Sequence, residues 1–115
     1  MIAVNKIDDV IKLAREREDL YEREAKVYHN NLDDKLEEYL NNLSFDEVKS
    51  LQAIMYLGRD RDYDANLAPQ QIYNSQFDYF DKTLGWNTKE LEINQMVGKM
   101  PIAKYLIEAK KILKL

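Results

Sequence analysis

The sequence predicts an all-α protein, a compact bundle of five to six helices with a long N-terminal helix, forming a single helical domain over residues 1–115. Three observations predict it. Apolar side chains recur at steps of three and four through most of the chain, the spacing that gathers them on one side of a helix. Helix start and stop residues punctuate that pattern. Three glycines and two prolines in 115 residues leave few turns, and no stretch alternates apolar and polar residues as a strand would. A chain of this length buries about two-thirds of its extended surface, enough for a core without crosslinks.

The first helix is expected from about Val4 to His29. Its seam is Val4, Ile7, Ile11, Ala14, Tyr21, Ala25 and Tyr28, continuing to Leu32, with Glu18 as the one break. The other faces carry Asp8, Asp9, Arg15, Glu16, Arg17, Asp19, Glu22 and Arg23 and read as solvated surface, with opposite charges four apart at Asp19 and Arg23. Some 26 residues at 1.5 Å rise span about 39 Å, longer than a domain of this size needs. The seam is therefore expected to pair with a second copy, giving a homodimer through residues 4–28.

Asn30-Asn31 marks a cap or kink before a second helix striped by Leu32, Leu36, Tyr39, Leu40 and Leu43 and closed by Asn41-Asn42. Ser44-Phe45-Asp46-Glu47 is a capping box that starts the third helix, with Leu43 placed to staple onto Val48. Val48, Leu51, Ala53, Ile54, Met55, Tyr56 and Leu57 make its final turns apolar nearly all round, so it belongs in the middle of the domain. Gly58 reads as its left-handed stop, and Arg59 to Asn66 as a charged loop. Pro69 opens a fourth helix whose buried stripe is Ile72, Tyr73, Phe77, Phe80 and Leu84, ended by Gly85. Trp86 folds back onto the core. Asn87 or Thr88 caps a short helix carrying Leu91, Met96 and Val97, Gly98 ends it, and Pro101 begins a last helix with Ile102, Tyr105, Leu106, Ala109, Ile112 and Leu113 inward.

From Leu43 to Leu113 the order of these signals resembles a bacterial family of small helical proteins of unknown function. The likeness lies in Leu43-Ser44-Phe45-Asp46-Glu47 leading to Leu51-Gln52-Ala53-Ile54-Met55-Tyr56-Leu57-Gly58-Arg59-Asp60, then a short helix, Gly98, Pro101 and Tyr105-Leu106. Where that family has a glycine, arginine, glycine, aspartate turn, this chain has Asp60 in the place of the second glycine. The resemblance implies a helical fold and a bacterial setting, and carries no activity with it.

Charge is uneven along the chain. Residues 1–57 hold 8 basic and 13 acidic side chains, a balance of −5, and residues 58–115 hold 9 and 8, a balance of +1. Between Lys99 and Lys114 five lysines face only Glu108. Those lysines suit the negative end of a helix dipole, and a pI near 5.0 argues against nucleic acid as the partner, since phosphates require a broad positive face. The absence of cysteine excludes disulfides, zinc-thiolate sites and catalytic thiols, and implies a reducing compartment. No stretch has the uniform apolar length of a membrane span, so a cytoplasmic location is expected.

The most suggestive motif for chemistry is Asp60-x-Asp62-x-Asp64, three carboxylates spaced like the first, third and fifth ligands of a calcium loop. Ala65 stands where such a loop turns on glycine and Gln71 where it needs a bidentate glutamate, so the motif reads first as a solvated loop and only secondly as a metal site. His29 and Asp33 share a helix face as possible ligands, yet one histidine cannot build a paired di-iron arrangement. Adjacent carboxylates at Asp33-Asp34 and Glu37-Glu38 diverge by about 100 degrees on a helix. Neither a serine beside a base nor a phosphate-binding glycine loop is present. No enzyme activity and no cofactor are expected.

Binding is the better supported expectation. Eight tyrosines favour interfaces, and the pattern leaves the exposure of Tyr21, Tyr28, Tyr63 and Tyr79 open. The expected function is a non-catalytic protein-interaction or regulatory module, in one version an inhibitor encoded by a mobile element. Its contact residues would be Tyr21, Tyr28, Arg59, Asp60, Arg61 and Tyr63. The alternative is a divalent-metal or small-ligand sensor using the Asp60–Asp64 loop.

Overall fold

A computed structural model describes residues 1–24, 30–99 and 101–115. The chain forms α1 (Val4–Arg23), α2 (Asn30–Asn41), α3 (Phe45–Asp60), α4 (Pro69–Asp78), a π-helical turn (Tyr79–Leu84), α5 (Lys89–Val97) and α6 (Ile102–Leu113). No strand occurs among the described residues, α1 is the longest helix, and the bundle measures 42 × 27 × 23 Å. The expected all-α architecture is the observed one.

Local chemistry explains the centre of the fold. Ser44 Oγ accepts from the Glu47 amide at 3.1 Å and Glu47 Oε1 accepts from the Ser44 amide at 3.0 Å, a reciprocal cap contributing about 1 kcal/mol. The helix it starts is buried at every residue from Ser50 to Met55, and α4, α5 and α6 all pack against it. Its end corrects the sequence reading. Gly58 is not the stop: α3 runs on to Asp60, and Arg61 takes the left-handed conformation at φ 51°. Gly58 marks where α3 and α6 touch through their main chains, because a Cβ there would sit 1.7 Å from the Tyr105 carbonyl oxygen and 3.0 Å from the Ala109 nitrogen.

The first helix also departs from expectation. It ends at Arg23, with Glu24 as its cap, so its 20 residues span about 30 Å and fall within the 42 Å length of the molecule. The rest of the span from which a second copy was expected lies beyond Glu24. Ala25, Tyr28 and His29 lie outside the described residues. Its buried face is Ile7, Val10, Ala14 and Arg17, turned from the expected seam so that Val4 is exposed and Ile11 is half-buried.

Arg17, read as surface, is 2 % exposed for a definite reason. Its Nη1 donates to Asp33 Oδ1 at 3.1 Å and to the Val97 carbonyl at 2.6 Å, and its Nη2 donates to the Lys99 carbonyl at 2.9 Å. The next residue, Glu18, read as a gap in the seam, accepts from the Ala103 amide at 3.0 Å. This adjacent pair thus satisfies carbonyls at the end of α5 and an amide at the start of α6, the groups a helix cannot pair internally.

Burial holds the Glu18 carboxyl above the ordinary carboxylate range, against the lowering effects of the Ala103 amide and of Arg17. A raised folded value favours the protonated acid in the native state. The native protein then binds more protons than the unfolded chain, and stability falls as pH rises from about 4.5 through the folded value. Glu18→Gln keeps an acceptor for Ala103 without the buried charge. It is expected to be slightly more stable than the wild type at pH 7 and indistinguishable at pH 3.5, as urea unfolding at the two pH values would show.

Beyond the loop, Pro69 opens α4 as expected and Ile72 and Tyr73 are buried. The stripe fails at Leu84, which is 58 % exposed. The Gly85 amide reaches back five residues to the Phe80 carbonyl at 2.7 Å, and this wider π-helical spacing carries Leu84 off the stripe. Trp86 does fold back, packing on Phe77 and Phe80. Thr88 caps α5, but the helix is turned so that Glu92, Ile93 and Met96 face inward and Leu91 outward. The inward carboxylate is matched: Gln52 Nε2 and the Asn87 amide each donate to it at 2.9 Å.

Candidate functional site

The turn between α3 and α4 is built by short-range polar contacts. After the left-handed Arg61, Asp64 folds the chain by accepting from the Asn66 amide at 2.9 Å through Oδ1 and from the Leu67 amide at 3.1 Å through its carbonyl. Leu67 packs on the core, and the Ala68 amide donates to Gln71 Oε1 as α4 begins. The loop stands away from α4, and between them lies a groove of about 470 Å³.

Its floor includes the buried Leu57 and Ile72. The loop side presents Asp60, Asp62, Tyr63 and Asp64, and the helical side presents Tyr56, Ser75, Gln76, Tyr79 and Phe80. An aromatic series stiffens that second wall. Tyr56 stacks on Phe80 at 5.2 Å, Phe80 on Trp86 at 5.7 Å, and Trp86 Nε1 donates to Asp81 at 2.8 Å, tying down the π-helical turn. Widened turns of this kind recur at functional positions. Tyr63 from the loop and Tyr79 from the π-helical turn both line the groove and stay 40 % and 52 % exposed.

The groove gathers part of the expected contact set. Asp60 and Tyr63 line it. Arg59 stands beside it, its guanidinium 4.4 Å from the Tyr56 ring centroid and its Nε donating to Asp60 at 2.8 Å. Arg61 is exposed and does not line it. Tyr21 sits half-buried on α1, a helix with no residue in the groove, and Tyr28 lies outside the described residues. Sequence reasoning missed Tyr56, taken as core, and Phe80, taken as stripe. Tyr79 was left open.

The carboxylates of the loop are not drawn together as cation ligands. Asp60 is engaged by Arg59 through both oxygens, at 2.8 and 3.3 Å, and Asp64 by the Asn66 amide. No group of three or more metal-ligating side chains converges among the described residues. Asp33 is held by Arg17, and His29 falls outside the described residues. The serines are also placed: Ser44 caps α3, Ser50 is buried between the Ile2 amide and the Tyr73 hydroxyl, and Ser75 lines the groove with neither histidine nor lysine among its neighbours there.

A second depression, between α1 and α6, mixes both signs of charge, with Asp8, Glu16 and Asp19 beside Lys12, Arg15 and Lys110. The basic end of the chain is partly neutralised: Lys110 pairs with Asp8 at 2.6 Å and Lys111 with Glu108 at 3.4 Å. No helix among the described residues is long and apolar enough to cross a membrane. Compared with family models, curated proteins and solved structures, the chain matches none.

Proposed function

We propose that the protein is a non-catalytic helical module that acts by binding another protein through the groove between the Asp60–Leu67 loop and α4. The observation that carries this reading is the pair of exposed tyrosines, Tyr63 and Tyr79, flanking a cleft with an apolar floor. Tyrosine buries a large rigid surface while its hydroxyl tolerates water, so it concentrates where proteins meet. Catalysis would need a nucleophile beside a positioned base, and neither histidine nor lysine stands with Ser75 in the lining.

The setting that goes with this reading is bacterial and cytoplasmic, in keeping with the resemblance over residues 43–113 and the lack of cysteine. Small size and acidity suit a protein carried on a phage or plasmid. An inhibitor of a host nucleic-acid enzyme is one form it takes, because an acidic groove presents to a basic surface the same sign of charge as phosphate. The sensor alternative draws less support, since Asp60 and Asp64 already have partners.

A photo-crosslinking amino acid placed at Tyr63 or Tyr79, followed by exposure to host lysate, tests the reading. One discrete adduct from both positions is expected, with none from the same group at Asp34 on α2. Adducts from α2 alone, or none from the groove, would reject it. An adduct at twice 13.7 kDa would assign the groove to a second copy of the chain.

A further inference from the structure

The charge of the groove is one-sided. Asp60, Asp62 and Asp64 line it, and no basic side chain does. Asp62 has no hydrogen-bond or ion-pair partner among the described residues. Among the aromatic side chains of the lining, Phe80 is stacked on Tyr56 and Trp86 and Tyr56 carries Arg59, so the exposed rings of Tyr63 and Tyr79 are the ones placed to attract an organic cation through their electron-rich faces. A hydrated metal ion has no comparable use for exposed tyrosine rings. The protein itself displays the matching contact: Arg59 lays its guanidinium on the outside of Tyr56 and donates to Asp60 at the same time.

We propose that the groove receives an arginine side chain from an exposed basic segment of the partner protein, with the guanidinium set between Tyr63 and Tyr79 and facing Asp62. The assignment rests on the interaction reading above and names the chemistry of the partner. Arginine is favoured over lysine because a planar guanidinium stacks on tyrosine and meets a carboxylate with two parallel donors. A protein segment is favoured over a free small cation because the π-helical turn that carries Tyr79 also ends in Leu84, an apolar side chain left 58 % exposed.

Titration of the 115-residue chain, followed by amide NMR, with a short unstructured peptide carrying two arginines tests this. The parallel arms use the citrulline version, the lysine version and spermidine. Shift changes are expected at Tyr56, Asp60–Leu67, Tyr79 and Phe80. The citrulline peptide, equal in shape and uncharged, is expected to bind about tenfold more weakly, and Asp62→Asn and Tyr79→Ala to weaken the arginine peptide several-fold, by roughly 3–10 times. Both side chains are exposed, so the thermal midpoints of these variants serve as a check that folding is intact.

Equal binding of the citrulline peptide overturns the proposal. So do shifts spread over the acidic face of α1 with no response to Tyr79→Ala, which would mark unspecific charge attraction. Spermidine seated in the groove without the arginine peptide assigns a free polyamine instead. If crosslinks form at Tyr63 and Tyr79 but the arginine peptide does not bind, the arginine assignment falls and the interaction reading stands. If the peptide binds in the groove but no crosslink forms, the interaction reading falls and takes the partner protein with it, leaving only the preference of the groove for a guanidinium.

Discussion

Gly58→Ala is expected to lower stability by about 4 kcal/mol or more, or to leave the chain unfolded, because the added methyl has no space between two main chains. Its Cβ would lie 1.7 Å from the Tyr105 carbonyl oxygen and 2.7 Å from the Tyr105 carbonyl carbon, and backbone cannot rotate aside as a side chain does. Relief requires α6 to move away from α3, which strips contacts from Leu106 and Ala109, both fully buried. For a domain of this size each kcal/mol moves the thermal midpoint by ~4 °C, so a fall of about 15 °C is expected in a circular dichroism melt. Gly98→Ala is the control. There the backbone is right-handed at φ −68° and the nearest atom is the Asn94 carbonyl oxygen at 3.3 Å, so the change should stay within about 1 kcal/mol.

Arg17→Met is expected to be the next most damaging change, by about 3 kcal/mol in urea unfolding. The methionine fills much of the space but donates nothing. It leaves the Val97 and Lys99 carbonyls and the Asp33 carboxylate without the donors they now share. Arg17→Lys is expected to recover less than half of the loss, since one ammonium cannot reproduce two separated nitrogens each aimed at a different carbonyl. The damage should be local before it is global: in Arg17→Met, hydrogen exchange at the α5–α6 junction is expected to quicken well below the unfolding midpoint while α3 stays protected. Uniform exchange across the molecule would show that Arg17 acts as core filler and not as the clamp of that junction.

What was legible in the sequence follows from the range of each interaction. The Ser44–Glu47 box, Pro69 at the start of α4, Gly85 at a turn with φ 77° and Thr88 as a cap act within a few residues, so local spacing suffices to place them. Gly58 was misread because a glycine after an apolar run has two physical uses, a left-handed stop or a close approach of backbones, and only Tyr105, 47 positions away, decides between them. Arg17 looks like any other charged residue on a mostly solvated helix. Its burial depends on carbonyls 80 and 82 positions distant.

The groove was half legible for the same reason. Loop residues Asp60, Asp62, Tyr63 and Asp64 are grouped in the sequence and stood out. Tyr56 and Phe80 sit on apolar stripes and read as core; Tyr56 does pack against it, and Phe80 stacks on Tyr56. The π-helical turn that leaves Tyr79 and Leu84 outside has no marker in the residues before it, although the step from Phe80 to Leu84 is where the stripe and the structure part company.

The affinity of the crosslinked partner, once isolated, for the wild-type protein and for Tyr79→Ala, measured by isothermal titration, tests the role of the groove most directly. A hot-spot tyrosine at the mouth of the groove predicts a loss of about tenfold or more with the thermal midpoint unchanged. Equal affinity for the two proteins, both folded, would contradict the claim that this protein works through the groove.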